Sequence, residues 1–290
     1  MGWTKQLVFP AVLAGGVALT WLMVARGYHP GVVLNVVTLA VFVLVAVLEY
    51  LLPQRSDWRK SDGQVLNDLG HTWLSTGVGA LLGNLTLGFV VPVVVDGLWG
   101  GATWWPSDWP FLLQIVVVFL LADLGRYVQH RMHHEIPFLW RFHALHHSVE
   151  RMSVFKTSRS HVVERYFQAV AMFGLLMLLG CPLEVMIWYI IPNSVLGMLD
   201  HSNLVADLGR VEWVIMGPAA HWIHHSAAPE DLNVNYGSAL VLWDQVFGTY
   251  RDPTRVPLPE VVGIEDDPVP RDFVGQYLSP FFWSRYTSGR

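Results

Sequence analysis

Long apolar runs separated by short charged stretches set the pattern of this chain. Four runs, at 7–25, 32–52, 69–95 and 109–128, approach or exceed the ~20 residues that carry a helix across the hydrocarbon core, and they predict four membrane crossings. Two shorter runs follow, one between Arg165 and Glu184 and one between Glu184 and Asp200. These predict a hairpin of tilted or re-entrant helices. Lys5 precedes the first run, but its apolar stretch exceeds the ~7–15 residues of a signal-peptide core and no small-x-small site follows, so it reads as a retained helix. In the third run, Gly77, Gly79 and Gly83 miss the dinucleotide Gly-x-Gly-x-x-Gly spacing. Gly79-x-x-x-Gly83 instead matches the small-residue pattern of closely packed membrane helices. The expected fold is all-α and integral to the membrane: about four transmembrane helices plus a shorter helical hairpin, with a cytoplasmic histidine-rich helical cap.

Positive charge orients this arrangement. Arg55, Arg59 and Lys60 follow the second run, none lies between 97 and 110, and Arg126, Arg131, Arg141, Arg151, Lys156, Arg159 and Arg165 follow the start of the fourth. Arg210, Arg251, Arg255, Arg271, Arg285 and Arg290 come later still. The excess side is the cytoplasmic one. Trp104, Trp105 and Trp109 sit in the loop without positive charge and read as interfacial anchors on the opposite face. No repeat, low-complexity tract or linker separates an independent soluble domain.

Composition agrees. Of 290 residues, 53% are hydrophobic and 14% charged, against about 25% charged in soluble domains. The net charge of −5 offers no basic surface to a phosphate backbone, which argues against nucleic acid as a partner. Cys181 is alone, so neither an intrachain disulfide nor a Cys-x-x-Cys site can form. Histidine changes the picture: eleven of thirteen fall between His130 and His225. Three clusters stand out, His130-x-x-x-His134, His143-x-x-His146-His147 and His221-x-x-His224-His225. On helices, each would turn two or three imidazoles to one face. Eight such ligands exceed one tetrahedral zinc site, so two metals are the economical reading. His201, flanked by Asp200 and Asn203, is a ninth candidate, its neighbours placed to orient it or to hold a metal-bound water. His29, His71 and His133 read as ordinary histidines. His161 and Glu164 read as supporting or substrate-facing. All-imidazole ligation suits iron, copper, nickel or zinc more than magnesium or calcium. Clusters at the cytoplasmic ends of spans would let a lipid reach the metals from the bilayer while electrons arrive from a soluble donor, an arrangement suited to oxygen chemistry on an unreactive C–H bond.

The three clusters, in this order, resemble the fatty acid hydroxylase/sterol desaturase superfamily of membrane di-iron oxygenases. The surroundings are similar too: Asp123 and Tyr127 before the first cluster, Pro137-Phe-Leu-Trp-Arg-Phe-His143 into the second, and Asn235-Tyr-Gly and Trp243-Asp-Gln-Val-Phe-Gly-Thr-Tyr250 after the third. The likeness runs from about 45 to 255. It implies that His130, His134, His143, His146, His147, His221, His224, His225 and also His201 hold two irons, with Asp123, His161, Glu164, Asp200 and Asn203 supporting them or facing the substrate. No catalytic residue beyond the ligands is implied. Some relatives have a second histidine four residues from the counterpart of His201. Here Gly197 and Val205 stand there, leaving one position to a water held through Asn203. Some fatty-acyl hydroxylases carry a fused cytochrome b5 domain with His-Pro-Gly-Gly. His29-Pro30-Gly31 ends in Val32, so a separate donor, of ferredoxin or cytochrome b5 type with its reductase, is expected.

The resemblance thus implies hydroxylation, or desaturation, of a sterol, fatty acyl chain or related lipid with O2. The organisation expected is transmembrane helices in 1–52, the di-iron domain in 53–255 and a cytoplasmic tail in 256–290. Fifteen arginines against three lysines suggest a high-GC bacterium, hence an inner-membrane protein. Two rivals are weighed. A zinc-dependent membrane hydrolase needs His-Glu-x-x-His, but the motif begun at His134-Glu135 closes on Phe138. A metal transporter places ionisable ligands near the bilayer midplane, whereas these clusters follow the spans.

Overall fold

The computed structural model describes residues 7–204 and 208–287. Lys5, Val205 and Arg290 lie outside them. Among the described residues, five helices are long and apolar enough to cross a membrane: α1 (Val8–Ala25), α2 (Pro30–Leu51), a composite Val65–Trp99, α5 (Phe111–Glu135) and α8 (Leu183–His201). The composite runs from α3 (Val65–Gly70) through a π-helical turn (His71–Thr76) into α4 (Gly77–Trp99). His29 accepts a hydrogen bond from Gly31 N and caps α2 ahead of Pro30, a helix-starting role for the His-Pro-Gly motif.

The predicted hairpin is α7 (Val162–Leu178) followed by α8. α7 lies between α4 and α5, and glycines set how close it comes. A Cβ on Gly79 would lie 2.6 Å from Arg165 Cβ, one on Gly83 2.7 Å from Ala169 Cβ, and one on Gly125 of α5 2.0 Å from Ala171 O. Only a missing side chain permits such approach. α8 is the central post: 61% of its most apolar stretch is buried in protein, against 22–28% in the other four spans. Val195, Leu196 and Leu199 there join Val33, Val37, Val41 and Val45 of α2 in the main core. Polar interruptions, rather than a short crossing length, made this helix look like half a hairpin.

Two helices continue past their apolar runs. α5 extends to Glu135 and carries His130 and His134 on its last turns, and His201 is the final residue of α8. Short helices complete the histidine end: α6 (Pro137–His147), α9 (Pro218–His224) and α10 (Leu242–Phe247). The stretch beyond 255 folds back on the body, where Val262 and Val269 are buried, and ends in α11 (Phe273–Leu278) and α12 (Trp283–Thr287). At the other end Trp104 and Trp109 are exposed. Trp105 is not an anchor: it is buried and donates from Nε1 to Gln114 Oε1 at 2.7 Å, because its indole N–H finds a partner inside the protein.

Candidate metal centre

Nine histidines from four helix ends meet at one end of the molecule in two groups. His130, His134, His143, His147 and His224 form one; His146, His201, His221 and His225 form the other. Within each group the nearest nitrogens all lie within 4.8 Å of one another. The clusters therefore do not map one to a site. At about 100° per residue, i and i+4 on a helix are ~40° apart, while i+3 lies ~60° to the other side. His143 and His147 accordingly turn to the first group and His146 to the second. In α9 the same geometry sends His221 and His225 to the second group and His224 to the first.

Hydrogen bonds on the far side of five of these rings define which nitrogen faces inward. His130 Nδ1 donates to Tyr236 O at 2.8 Å and His224 Nδ1 to Val234 O at 2.8 Å. His146 Nδ1 donates to Arg159 O at 3.1 Å and His201 Nδ1 to Gly197 O at 2.8 Å. His143 Nδ1 bonds Glu164 Oε1 at 2.9 Å. A carbonyl can only accept, so in those four rings the proton sits on Nδ1 and a neutral imidazole presents its Nε2 lone pair to the group. Burial and neighbouring imidazoles keep the rings neutral: His224 is pushed down to about 3, and His146, His147, His221 and His225 are pushed well below the usual imidazole range, burial being the largest cause.

The consequence is a set of facing lone pairs. His130 Nε2 is 3.1 Å from His143 Nε2, which is 3.1 Å from His147 Nε2. His201 Nε2 is 3.2 Å from His146 Nε2 and 3.0 Å from His221 Nε2. His224 Nε2 and both nitrogens of His225 are buried without a hydrogen-bond partner. Neutral imidazoles in that arrangement repel one another and leave acceptors unsatisfied, whereas a cation between them would satisfy all at once. The donor set fits a metal in each group.

The supporting residues fall into place unevenly. Glu164 is buried and its carboxylate bonds the His143 ring. Asp123 touches none of them directly. It accepts from Ala239 N at 2.8 Å, Leu240 N at 3.2 Å and Tyr189 Oη at 3.2 Å, and so holds the loop whose Tyr236 carbonyl orients His130. Asp200 is buried with Oδ1 unpartnered, and its carbonyl accepts from Trp222 Nε1. The Asn203 amide is engaged by Arg55, accepting from its backbone N at 2.9 Å and donating to its O at 2.8 Å. His161, expected to be supporting or substrate-facing, caps α7, accepting from Val163 N, and its Nε2 faces Tyr277 O, outside the two histidine groups. His133 stays on α5, donating from Nδ1 to Gln129 O. Glu135, the base a hydrolase would need, pairs with Arg131 at 2.7 Å on the surface.

The orienting carbonyls escaped sequence reading, because a backbone oxygen has no letter. Arg159 carries one of them and is locked by a buried ionic cluster in which Asp68 pairs with Arg159 at 2.8 Å and Lys156 at 2.6 Å, and Asp62 with Lys156 at 2.8 Å and Arg151 at 2.7 Å. Asp68 at the edge of an apolar run was the available signal.

A family profile described as Fatty acid hydroxylase matches residues 115–249, a stretch holding all nine histidines. Ornithine lipid hydroxylase OlsE of Rhizobium tropici is 35% identical over 280 residues, covering 96% of this chain and 84% of that protein. The chain belongs to the fatty acid hydroxylase family. Alkylglycerol monooxygenase of Xenopus tropicalis is 30% identical over 214 residues, 72% of this chain and 46% of its own length. Human cholesterol 25-hydroxylase is 29% identical over 171 residues, 56% of this chain and 62% of its own. The chain thus spans about half to four-fifths of the length of these relatives. No solved structure matches. Membership makes the chain an oxidoreductase, a membrane lipid hydroxylase of a metal-dependent oxygenase family.

Proposed function

We propose that this protein is a di-iron monooxygenase that uses O2 and externally supplied electrons to hydroxylate the hydrocarbon part of a polar lipid. The observation that carries the reading is the pair of buried groups in which Nε2 lone pairs converge while Nδ1 protons are held by carbonyls. His130, His134, His143, His147 and His224 would hold one iron, and His146, His201, His221 and His225 the other. Bound irons would supply the reduction of dioxygen and the attack on an unactivated C–H bond, chemistry beyond any side chain. The chain's own part is different. The carbonyls of Tyr236, Val234, Arg159 and Gly197 and the carboxylate of Glu164 lock ring orientation, and burial keeps water out.

The likeness to ornithine lipid hydroxylase along nearly the whole chain favours hydroxylation over desaturation and a lipid with a polar head over a sterol. Most lysine and arginine residues fall on the histidine side, which supports a centre at the cytoplasmic face of a bacterial inner membrane. Residues 53–255 would be the di-iron unit and 1–52 additional anchoring spans. The electron donor would be a separate ferredoxin or cytochrome b5 type protein, arriving at that face.

The test is metal content per chain after anaerobic iron loading in detergent, followed by mass spectrometry of lipids turned over with a reducing system. Native protein should hold two irons, and His224→Ala and His146→Ala, one from each group, should each lose iron. The turned-over lipid should gain one oxygen. A single tightly held zinc, or iron retained in both variants, would sink the reading.

A further inference from the structure

The last helical hairpin, α11 and α12, buries polar side chains of α11 and exposes apolar ones. Gln276 and Ser279 are buried, while Val274, Leu278, Phe281 and Phe282 are exposed, Val274 at 63% and Phe281 at 62%. A hairpin that packs this way on a protein in water would be inverted. Its inner contacts explain the polar side. Gln276 Oε1 meets His71 Nε2 at 2.9 Å, Gln276 Nε2 donates to Gln64 at 3.0 Å, and the Tyr277 ring stacks on His71 at 5.3 Å.

The outer face continues surfaces that face lipid on both sides. Phe273 lies against Gly70, where a Cβ would come within 2.7 Å of its ring, and beyond that contact α3 and its π-helical turn expose Leu66 and Trp73. On the other side Phe281 meets Phe142 edge-on at 5.7 Å, and Phe142 meets Phe138 at 5.5 Å. Phe138 is exposed, as are Ile136 and, on α5, Val128 and Met132, which share a helix face at i, i+4. Two guanidinium groups ride above the aromatic rings of this strip, Arg285 over Phe282 at 4.8 Å and Arg141 over Phe138 at 5.9 Å. Aromatic rings with cations above them suit the boundary between acyl chains and headgroups.

We propose that residues 273–287 are an interfacial membrane anchor, seating Val274, Leu278, Phe281 and Phe282 in the acyl–headgroup boundary beside the histidine end of α5. The occupant of this face is the bilayer surface, because the strip is continuous with the outer faces of two membrane spans. The anchor also braces α6 from behind, through Phe281 on Phe142, next to His143. A surface-seeking segment there gains from buried apolar area in proportion to that area.

The chain is suited to a direct test, since its single cysteine, Cys181, is buried. Full-length protein carrying Phe281→Cys, and separately Val274→Cys, is labelled with a small fluorophore and reconstituted into phosphatidylcholine vesicles. Leu39→Cys on the exposed face of α2 serves as the lipid reference and Glu265→Cys as the water reference. Labels at 281 and 274 should lose fluorescence to doxyl-bearing lipid, as at 39, and resist iodide, which quenches at 265. Quenching by iodide as at 265 would overturn the anchor. Quenching by neither agent would overturn it too, because the face would then be covered by protein, such as a second copy of the chain.

Discussion

A histidine three places along a helix serves a different site from one four places along, and that single step of about 60° against 40° divides the nine ligands. His143 and His147 pair in one group while His146 crosses to the other, and α9 repeats the division with the groups exchanged. Glu164 bonds this shell of rings through His143. Its negative charge strengthens His143 as a donor, so Glu164→Gln, which keeps an acceptor but removes the charge, is expected to weaken iron binding about 10-fold or more, measured by competitive chelation. Cys181 offers a contrast. Burial pushes its thiol up to about 12, which leaves almost no thiolate near pH 7, and the thiolate is the reactive form. Maleimide labelling of the folded native protein should stay at background at that pH and become complete on unfolding.

Loops and helices supply the orientation that single residues cannot. The segment around Val234 and Tyr236 gives carbonyls to His224 and His130. Besides Asp123, a second carboxylate holds that segment: Asp244 accepts from Tyr236 N and Gly237 N, each at 2.8 Å, and from Thr249 Oγ1 at 2.7 Å. Asn235 turns it with φ at +54°, donating to Ala220 O and Arg251 O. Asp244→Ala should therefore release iron from the five-histidine group first, so that metal analysis falls from two toward one per chain while the protein stays in the detergent-soluble fraction. The α5–α7 contact is a different element-level constraint. Gly125→Leu would drive a side chain into Ala171 O, and overpacking costs about 1–3 kcal/mol or more; the thermal unfolding midpoint should drop relative to wild type.

Across the molecule, helices α5, α6, α8 and α9 deliver their ends to one place and bring nine imidazoles out of water together. Their mutual repulsion opposes folding, and two cations would reverse the sign. Iron loading should raise the unfolding midpoint by an amount that grows with free iron, about 2.7 kcal/mol when iron stands at 100 times its dissociation constant, whereas magnesium at the same concentration should leave the midpoint unchanged. Scanning fluorimetry in detergent reads both.

Crossing helices are legible in residue order because the bilayer admits no unsatisfied backbone, and a run of about 20 apolar residues has no other cheap conformation there. The Gly79-x-x-x-Gly83 contact with α7 and the existence of a histidine centre are legible for similar reasons: both depend on local spacing. Span ends were harder to read. α5 runs on through Arg126 and Arg131 to Glu135, since a helix stops where its backbone bonds end, not where its side chains turn polar. The partition of ligands between two groups, the pairing of Asn203 with Arg55, the helix-cap role of His161 and the carbonyls that orient the rings were decided by tertiary structure. Each depends on which backbone atom from a distant segment arrives opposite a side chain, and neighbouring letters carry no record of that.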